Sequence, residues 1–338
     1  MAKERVVVVG AGGISGAWFG PLKAERLNVV GVVDLDLDAA RSRIAQFELD
    51  CEASTDLKAT LRKHKPDLAI DLTVPEAHCE VTCTALRAGC HVIGEKPMAS
   101  SLAEARRMVR TAERTGKLYM VNQSRRWMAQ HETVARAVRQ GAIGTLTTVN
   151  CDFYMAPHLG GFREKMPSPL VLDMAIHHFD LARQMSGADA DAVYAKEFNP
   201  VGSWYEGDVA ATCVFEMTGG VVFTYRGSWC ANGCPTPWAG DWRLIGDRGT
   251  LLYRNEQPPT GEVVAGRMGF MRAGRPIRPR PAKMPHGTMR GALREMLAYI
   301  RRGRTPQTEC HDNIKSLAMV FAAMESSRRG RRVPVRGL

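Results

Sequence analysis

The segment 6–16, VVVVGAGGISG, decides the fold of the first part of the chain. Four consecutive valines predict a strand buried on both faces, and the glycines behind them predict a tight turn that leads into a helix. Gly10 permits the turn, while Gly12, Gly13 and Ile14 stand at the helix N-terminus, where backbone N–H groups can approach a pyrophosphate. Ser15 replaces the third glycine of a G-x-G-x-x-G motif and is still small enough for close packing. The segment predicts a dinucleotide-binding turn.

Asp34 supports this interpretation from the second predicted strand. It ends that strand 24 residues beyond Gly10, where a carboxylate can accept hydrogen bonds from the ribose hydroxyls of adenosine. Taken singly, the glycines also fit a structural turn, and Asp34 also fits the turn at a strand end. A carboxylate here would repel a 2′-phosphate, and residues 35–40 contain no Arg or Lys. We therefore expect NAD as the cofactor and regard NADP as less favoured.

The pattern along the chain predicts two domains. In 1–122, short apolar runs alternate with helix-length segments, which predicts an α/β Rossmann domain with a doubly wound parallel sheet. In 123–338, strands follow one another without crossover helices, which predicts an α+β domain with a large, mostly antiparallel open sheet. The predicted strands are 6–9, 29–34, 68–73, 91–95, 118–122, 145–154, 209–216, 221–229, 242–245 and 250–253; the predicted helices are 14–26, 37–47, 76–88, 102–115, 132–140, 171–185, 289–301 and 314–327; a Pro- and Gly-rich loop is predicted for 255–287.

The composition is that of a globular protein, with 45% apolar and 24% charged residues in 338. The apolar run 6–9 meets a glycine turn too soon to form the core of a signal peptide, and no stretch approaches the roughly 20 apolar residues of a membrane span. The nine cysteines include no C-x-x-C pair, which is typical of reduced thiols. We expect a cytoplasmic protein without a membrane partner.

The charge and cysteine patterns narrow the partners further. The net charge of +11 raises nucleic-acid binding as a possibility, but the arginine clusters at 272–280 and 328–332 are not interleaved with aromatic residues. We therefore expect no nucleic acid, and a charged surface or a funnel for anionic ligands instead. Cys79 and Cys83 would lie one helical turn apart, but no second pair completes a metal site, so no metal is predicted. The broad second sheet suggests a homo-oligomer, either a dimer or a tetramer.

Two short motifs then resemble a known family. Gly94-Glu95-Lys96-Pro97 and Asp173-Met174-Ala175-Ile176-His177 follow the glycine turn in this order. Together they resemble the Gfo/Idh/MocA family, which includes glucose-fructose oxidoreductase and inositol dehydrogenase. The likeness extends to Arg125-Arg126-Trp127 and to 141–144 and 330–333. The resemblance implies an NAD(P)-dependent oxidoreductase that transfers a hydride between the cofactor and a hydroxyl or carbonyl carbon of a sugar, inositol or related polyol.

The resemblance also implies a catalytic set of Lys96, Asp173 and His177. In such enzymes the lysine contacts the nicotinamide ribose and the substrate, and the Lys-Pro bond is often cis. An imidazole titrates near neutral pH, so His177 can take a proton from a hydroxyl, and Asp173, four residues earlier on the same helical face, can orient it or bind the substrate. Lys96 would stabilise alkoxide character. We expect Lys96 and His177 to serve one active site, although a solvated lysine and a surface Asp-His pair are the alternatives for each motif alone.

Other positions carry weaker predictions. Thr73, Pro75 and His78 follow a strand at the carboxyl edge of the sheet, where the resemblance places the adenosine or nicotinamide side of the cofactor, as it does for Glu95; a plain loop is the alternative. Arg125 and Trp127 are expected to face the nicotinamide or the substrate, with a structural ion pair and a core tryptophan as alternatives.

The chain also departs from the family pattern before the aspartate motif. Pro167-Ser168-Pro169-Leu170 stands where members commonly have a glycine cluster, and position 178 is a second histidine. We therefore expect a substrate pocket unlike those of the sugar and inositol enzymes. Trp229, Trp238 and Trp242 could stack on a sugar or simply pack in the sheet.

Two other functions fit the same residues. A member of this kind could retain NAD and use transient oxidation to cleave a glycosidic bond, which would make the chain an NAD-dependent glycosidase. Alternatively, the chain could be a non-catalytic NAD-binding regulator, although the presence of both Lys96 and His177 argues against this.

Overall fold

A computed structural model describes residues 4–265, 270 and 272–337. A six-stranded sheet has the order β3-β2-β1-β4-β5-β6 with every pair parallel, so the predicted doubly wound Rossmann sheet is confirmed. Its strands are β1 Arg5–Val9, β2 Asn28–Val33, β3 Glu52–Ser54, β4 Leu68–Asp71, β5 His91–Gly94 and β6 Tyr119–Val121, and its helices are α1 Gly16–Ala24, α2 Leu37–Gln46, α3 Leu57–His64, α4 Pro75–Arg87 and α5 Leu102–Thr115.

A nine-stranded sheet follows, in the order β14-β13-β12-β11-β7-β10-β9-β8-β15. Only the pair β7 and β10 is parallel among its described pairs, so the predicted mostly antiparallel sheet is also confirmed. The remaining elements are α6 Ala129–Arg139, β7 Leu146–Tyr154, α7 Ile176–Ser186, β8 Ala190–Phe198, β9 Ala210–Met217, β10 Val222–Ser228, β11 Asp241–Gly246, β12 Gly249–Tyr253, β13 Thr260–Val264, β14 Gly274–Ile277, α8 Thr288–Arg302, α9 Cys310–Arg329 and β15 Val333–Pro334.

Several elements were not predicted from the sequence. They are β3, α3, β8 and β15, together with β13 and β14, which lie within the loop predicted for 255–287. Residues 266–269 and 271 of that predicted loop lie outside the described residues. The helix predicted for 171–185 also has two geometries, because Leu170–Ala175 is π-helical and α7 begins only at Ile176. Single π-helical turns are rare in proteins, and those that do occur are often found at functional sites.

The chain forms two compact units. The first comprises the residues up to Ser124 together with His286–Ile314, and the second comprises Arg125–Pro285 and Lys315–Gly337. This division differs from the sequence expectation of one boundary at 122, because the chain returns to the first unit with α8. That helix packs on α1, and its Arg290 donates to Glu25 of the α1 C-terminus at 2.7 Å.

Each unit has its own core. The strands β1, β4 and β5 of the first unit are almost completely buried, as continuous apolar runs predict. In the second unit, α7 packs on the large sheet through Phe179, whose ring makes edge contacts with Phe215, Phe223 and Tyr225. No helix in the described part of the chain combines the length and apolarity needed to cross a membrane.

Candidate active site

The glycine turn after β1 has the geometry of a cofactor cradle. Gly10 has φ +100°, and a Cβ there would lie 2.7 Å from the carbonyl of Leu72, so only glycine fits. A Cβ on Gly12 or Gly13 would instead meet no protein atom within 4 Å. The Ser15 hydroxyl donates to the Gly12 carbonyl at 2.7 Å. The turn is therefore packed against Leu72 at Gly10 and open at Gly12 and Gly13, where a pyrophosphate could approach the backbone.

Asp34 lies beside this turn, as its spacing predicts. Its Oδ2 accepts a hydrogen bond from the backbone N–H of Ala11 at 2.6 Å, and its Oδ1 accepts one from Asp36 at 2.9 Å. The side chain is half-buried, so part of the carboxylate stays accessible. This position suits a group that binds ribose hydroxyls next to the pyrophosphate site.

Arg43 is a residue of this site that the sequence did not reveal. From α2 its Nε donates to the carbonyl of Ala11 and its Nη2 to that of Gly12, both at 3.0 Å. A positive charge thus lies at the turn where an anionic cofactor would bind. Arg43 is about 30 residues from its partners and belongs to no motif, so no local pattern could have indicated it.

A buried polar cluster follows β4. Thr73 donates to Asp71 at 2.6 Å, and Nδ1 of His78 lies 3.0 Å from the same carboxylate oxygen. Burial alone would lower the pKa of His78, but the charge and hydrogen bond of Asp71 raise it above its ordinary value. Thr73 and His78 are thereby brought together by Asp71, which the sequence did not single out. Pro75, the first residue of α4, begins the helix that carries His78.

Glu95 and Lys96 follow β5 at the same edge of the sheet. Glu95 is buried, and its Oε1 accepts hydrogen bonds from Trp18 at 2.9 Å and from Asn122 at 2.8 Å. Burial raises the pKa of Glu95 even though these two donors oppose the shift. Its side chain therefore connects α1 to the end of β6. Lys96 is half-buried, and the Lys96–Pro97 peptide bond is cis, as the family resemblance implies.

The first unit thus gathers the predicted cofactor residues at the carboxyl ends of β1, β2, β4 and β5. The strand order reverses between β1 and β4, which is where doubly wound sheets bind dinucleotides. The open cradle at Gly12 and the carboxylate of Asp34 both fit NAD.

In the second unit, Asp173 and His177 lie on the segment where π-helix gives way to α-helix. Asp173 belongs to the π-helical turns, and His177 is the second residue of α7. Both side chains are half-buried. Arg163, from the short 3-10 helix Gly161–Lys165, donates from Nε to Oδ2 of Asp173 at 2.7 Å. No sequence pattern indicates Arg163, because a loop arginine carries no periodic signal.

Arg125 contacts the same segment. Its Nη2 lies 3.8 Å from the sulfur of Met174, and its Nη1 donates to the backbone carbonyl of Trp238. The next two residues have structural surroundings: Arg126 forms a buried ion pair with Asp180 at 2.7 Å, and Trp127 is 2% exposed. This burial favours the core alternative for Trp127, and a substrate contact by its ring stays a prediction.

His178 is a fully buried member of the second unit. Its ring stacks on Tyr225, and its Nε2 lies 3.3 Å from the Trp238 carbonyl, to which it can donate. Burial lowers the pKa of His178 well below its ordinary value, and the nearby charge of Arg125 lowers it further. His178 is therefore neutral at physiological pH.

The three tryptophans considered for stacking differ in exposure. Trp242, in β11, and Trp229, directly after β10, are both buried, which is the packing alternative. Trp238 is 42% exposed and is therefore the one of the three that offers a ring face to a ligand.

Comparisons with known proteins agree with this architecture. Residues 4–123 match the model of an oxidoreductase family with an NAD-binding Rossmann fold, and residues 131–252 match the GFO/IDH/MocA C-terminal domain. The chain is 29% identical to the D-apiose dehydrogenase of Paraburkholderia graminis, over 92% of this chain and 84% of that protein. It is 26% identical to the myo-inositol 2-dehydrogenase of Thermotoga maritima, over 56% and 57% of the two chains.

A solved structure of similar fold is an oxidoreductase from Agrobacterium radiobacter in complex with NAD+, L-tartaric acid and magnesium. It superposes with a TM-score of 0.86 at 22% identity, covering 99% of both chains. The glycine cradle, the parallel sheet and both matched domains lead to one assignment. The chain belongs to the GFO/IDH/MocA family and is an NAD-binding oxidoreductase.

Proposed function

We propose that the chain transfers a hydride between NAD and a hydroxyl-bearing or carbonyl carbon of a sugar, inositol or related polyol. The observation that carries this proposal is the open cradle at Gly12 and Gly13 with Asp34 hydrogen-bonded beside it. The substrate class rests on the relatives, which include a D-apiose and a myo-inositol dehydrogenase. When bound, NAD supplies the hydride acceptor, and its reduced form supplies the donor.

The side chains of the two motifs supply the remaining chemistry. We assign His177 as the base that removes the hydroxyl proton and returns it in the reductive direction. Asp173, held by Arg163 at 2.7 Å, would orient the imidazole or bind a second hydroxyl. Lys96 would stabilise the negative charge that develops on the substrate oxygen. Thr73, Pro75, His78 and Glu95 would line the cofactor side.

A screen of polyols, sugars and glycosides with NAD and with NADP tests the proposal. Stoichiometric NADH with one class of free sugar or polyol is the expected result, with little activity on NADP because Asp34 would repel a 2′-phosphate. Cleavage of a glycoside without net NADH would overturn the proposal in favour of the glycosidase. NAD binding without turnover of any compound would favour the regulator.

Substitution of the two central residues tests whether they act in one reaction. We expect His177→Asn and Lys96→Met each to lower kcat by about 100- to 10,000-fold. NAD affinity should be unchanged in His177→Asn and weakened in Lys96→Met, because Lys96 is expected to contact the nicotinamide ribose as well. The double variant should lose little more than either single variant, because residues that act as a unit are not additive. Lys165→Met and His286→Asn are the matched controls, and both should keep full activity. If the losses in kcat of the two single variants multiplied in the double variant, Lys96 and His177 would act independently and not as one unit.

We also propose that the chain forms a homo-oligomer through one face of the nine-stranded sheet. Apolar side chains stand exposed along its strands, including Tyr194 at 52%, Val214 and Val222. Burial of such a patch against a second copy would remove apolar surface from water. Light scattering should give a molar mass of two or more times the 37.2 kDa of one chain. A monomer at micromolar concentration would contradict this proposal.

A further inference from the structure

The two adjacent arginines at the start of the second unit differ in how their charges are balanced. Arg126 donates from Nε and Nη2 to the two carboxylate oxygens of Asp180, both at 2.7 Å. Arg125 contacts the carbonyl of Trp238, the sulfur of Met174 and the ring of His178 instead. Within the described part of the chain, no carboxylate lies within ion-pair distance of Arg125.

The described titratable groups around Arg125 form no ion pair with it, and Glu256 acts on it only at longer range by raising its pKa. His178 and His131 are both neutral, because burial lowers the pKa of His131 to about 4 and that of His178 well below its ordinary value. His131 instead donates through Nδ1 to the backbone carbonyl of Arg125 at 2.8 Å. Burial lowers the pKa of Arg125 itself to about 10, so its cation is held at a cost. Arg125 is half-buried, and a cation partly withdrawn from water is normally paired with an anion in proteins.

The position of this charge relates it to the proposed chemistry. Arg125 touches Met174, which directly follows Asp173 and precedes His177 by three residues. The backbone carbonyl of Trp238, whose ring is half-exposed, accepts a hydrogen bond from the same guanidinium. The second cation of this region, Arg163, is already balanced by Asp173. Arg125 is therefore a cation beside the Asp173–His177 segment that has no carboxylate at ion-pair distance among the described residues.

We propose that the substrate carries a carboxylate, which binds to the guanidinium of Arg125, and that the substrate is therefore a sugar acid or polyhydroxy acid. This inference rests on the proposed function and narrows its substrate class. The planar guanidinium can hold a carboxylate through two parallel hydrogen bonds. The one guanidinium of Arg125, with its single positive charge, matches a monoanionic carboxylate better than a dianionic phosphate ester.

Matched substrates isolate the carboxylate. The probes are galacturonate against galactose, glucuronate against glucose, and glucose 6-phosphate as the phosphate arm, each with NAD and the full-length protein. We expect the kcat/KM of each sugar acid to exceed that of its neutral partner by at least about 10-fold. The Arg125→Gln variant should lower kcat/KM for the acid by about 10- to 100-fold and change kcat/KM for the neutral sugar by less than about threefold. Arg125→Lys should recover only part of the loss, and Arg328→Gln, at an exposed arginine, should change neither value.

A calorimetric titration of the uronates into the NAD-saturated protein separates this inference from the proposed function. Binding of a uronate that Arg125→Gln abolishes supports the inference even where no NADH forms. Equal use of acids and neutral sugars would overturn it, as would a preference for the phosphate ester or failure of every acid to bind. If Arg125→Gln raised the KM for NAD and lowered kcat/KM equally for the acid and the neutral sugar, Arg125 would bind the cofactor and not a substrate carboxylate. Circular dichroism and the Arg125→Lys variant distinguish each loss from misfolding.

Discussion

Gly10 and Gly12 belong to the same turn but meet different surroundings. Gly10 has φ +100° and faces the Leu72 carbonyl, whereas Gly12 has an ordinary φ of −66° and an open front. Gly10→Ala should therefore lower the free energy of unfolding by at least about 2 kcal/mol, through backbone strain and a steric clash. Gly12→Val should leave that free energy nearly unchanged and raise the Kd for NAD by on the order of 100-fold, because the side chain fills the cradle.

Urea unfolding and calorimetric NAD titration of the two variants give both quantities. The loss of stability should appear in Gly10→Ala, and the weaker NAD binding should appear in Gly12→Val. A Gly12→Val protein that binds NAD as tightly as the wild type would show that the pyrophosphate does not approach this turn.

Single residues were predictable where a motif fixes them. Asp34 lies beside the glycine turn because the spacing between two adjacent parallel strands determines its place. Arg43, Asp71 and Arg163 were missed, since each acts through contacts that only the fold creates. A lone charged residue on a helix or loop looks the same in sequence whether it is solvated or bound to a distant partner.

At the scale of elements, the buried parallel strands were predictable because they are continuous apolar runs. The strand β3 was not, since it is a three-residue edge strand with only half-buried side chains. The strand β8 was missed for a different reason. Its inward positions include Glu197, a buried carboxyl group whose pKa burial raises to about 7, and this residue breaks the apolar alternation.

The transition from π-helix to α-helix between Asp173 and His177 also lies beyond sequence patterns. Both geometries place residues four apart on similar faces, so the spacing of the motif fits either one. The segment is held from outside by the Arg163–Asp173 ion pair at 2.7 Å, which a periodicity does not contain.

At the scale of the whole molecule, the domain division could not be read from the order of the chain. The helix α8 joins the first unit through Arg290 and Glu25, which are 265 residues apart. A contact between residues so far apart in sequence leaves no local signal. The sequence therefore predicts one domain boundary, whereas the segment His286–Ile314 returns to the first unit.

The buried histidines make the stability of the whole molecule depend on pH. His131 is fully buried with a pKa of about 4, whereas an unfolded histidine takes up a proton below about pH 6.5. Between these values the unfolded state binds more protons, so the free energy of unfolding falls as the pH is lowered. The His131→Asn variant keeps a hydrogen-bond donor near the Nδ1 position but takes up no proton. Its free energy of unfolding should therefore fall by about 2–3 kcal/mol less than that of the wild type between pH 7 and pH 4.5. Urea unfolding at the two pH values measures it.

His311 provides a control of opposite sign. Its hydrogen bonds to Glu113 and Glu309 raise its pKa, so its contribution is complete below about pH 6.5 and is lost as the pH rises through the raised value. Replacement of His311 by Asn should therefore cost more stability at pH 6 than at pH 9. An unchanged slope in His131→Asn would show that His131 does not remain neutral in the folded protein.

The most direct test of hydride transfer is to follow the hydrogen itself. Glucose, galacturonate and myo-inositol, each with deuterium in place of the hydrogens bonded to carbon, are incubated with NAD and the protein. The mass of the recovered cofactor is then measured by mass spectrometry. The account predicts that the reduced cofactor gains one deuterium from one of these compounds, and that His177→Asn and Lys96→Met slow this gain to the same extent. Formation of product while the recovered cofactor stays free of deuterium would contradict it.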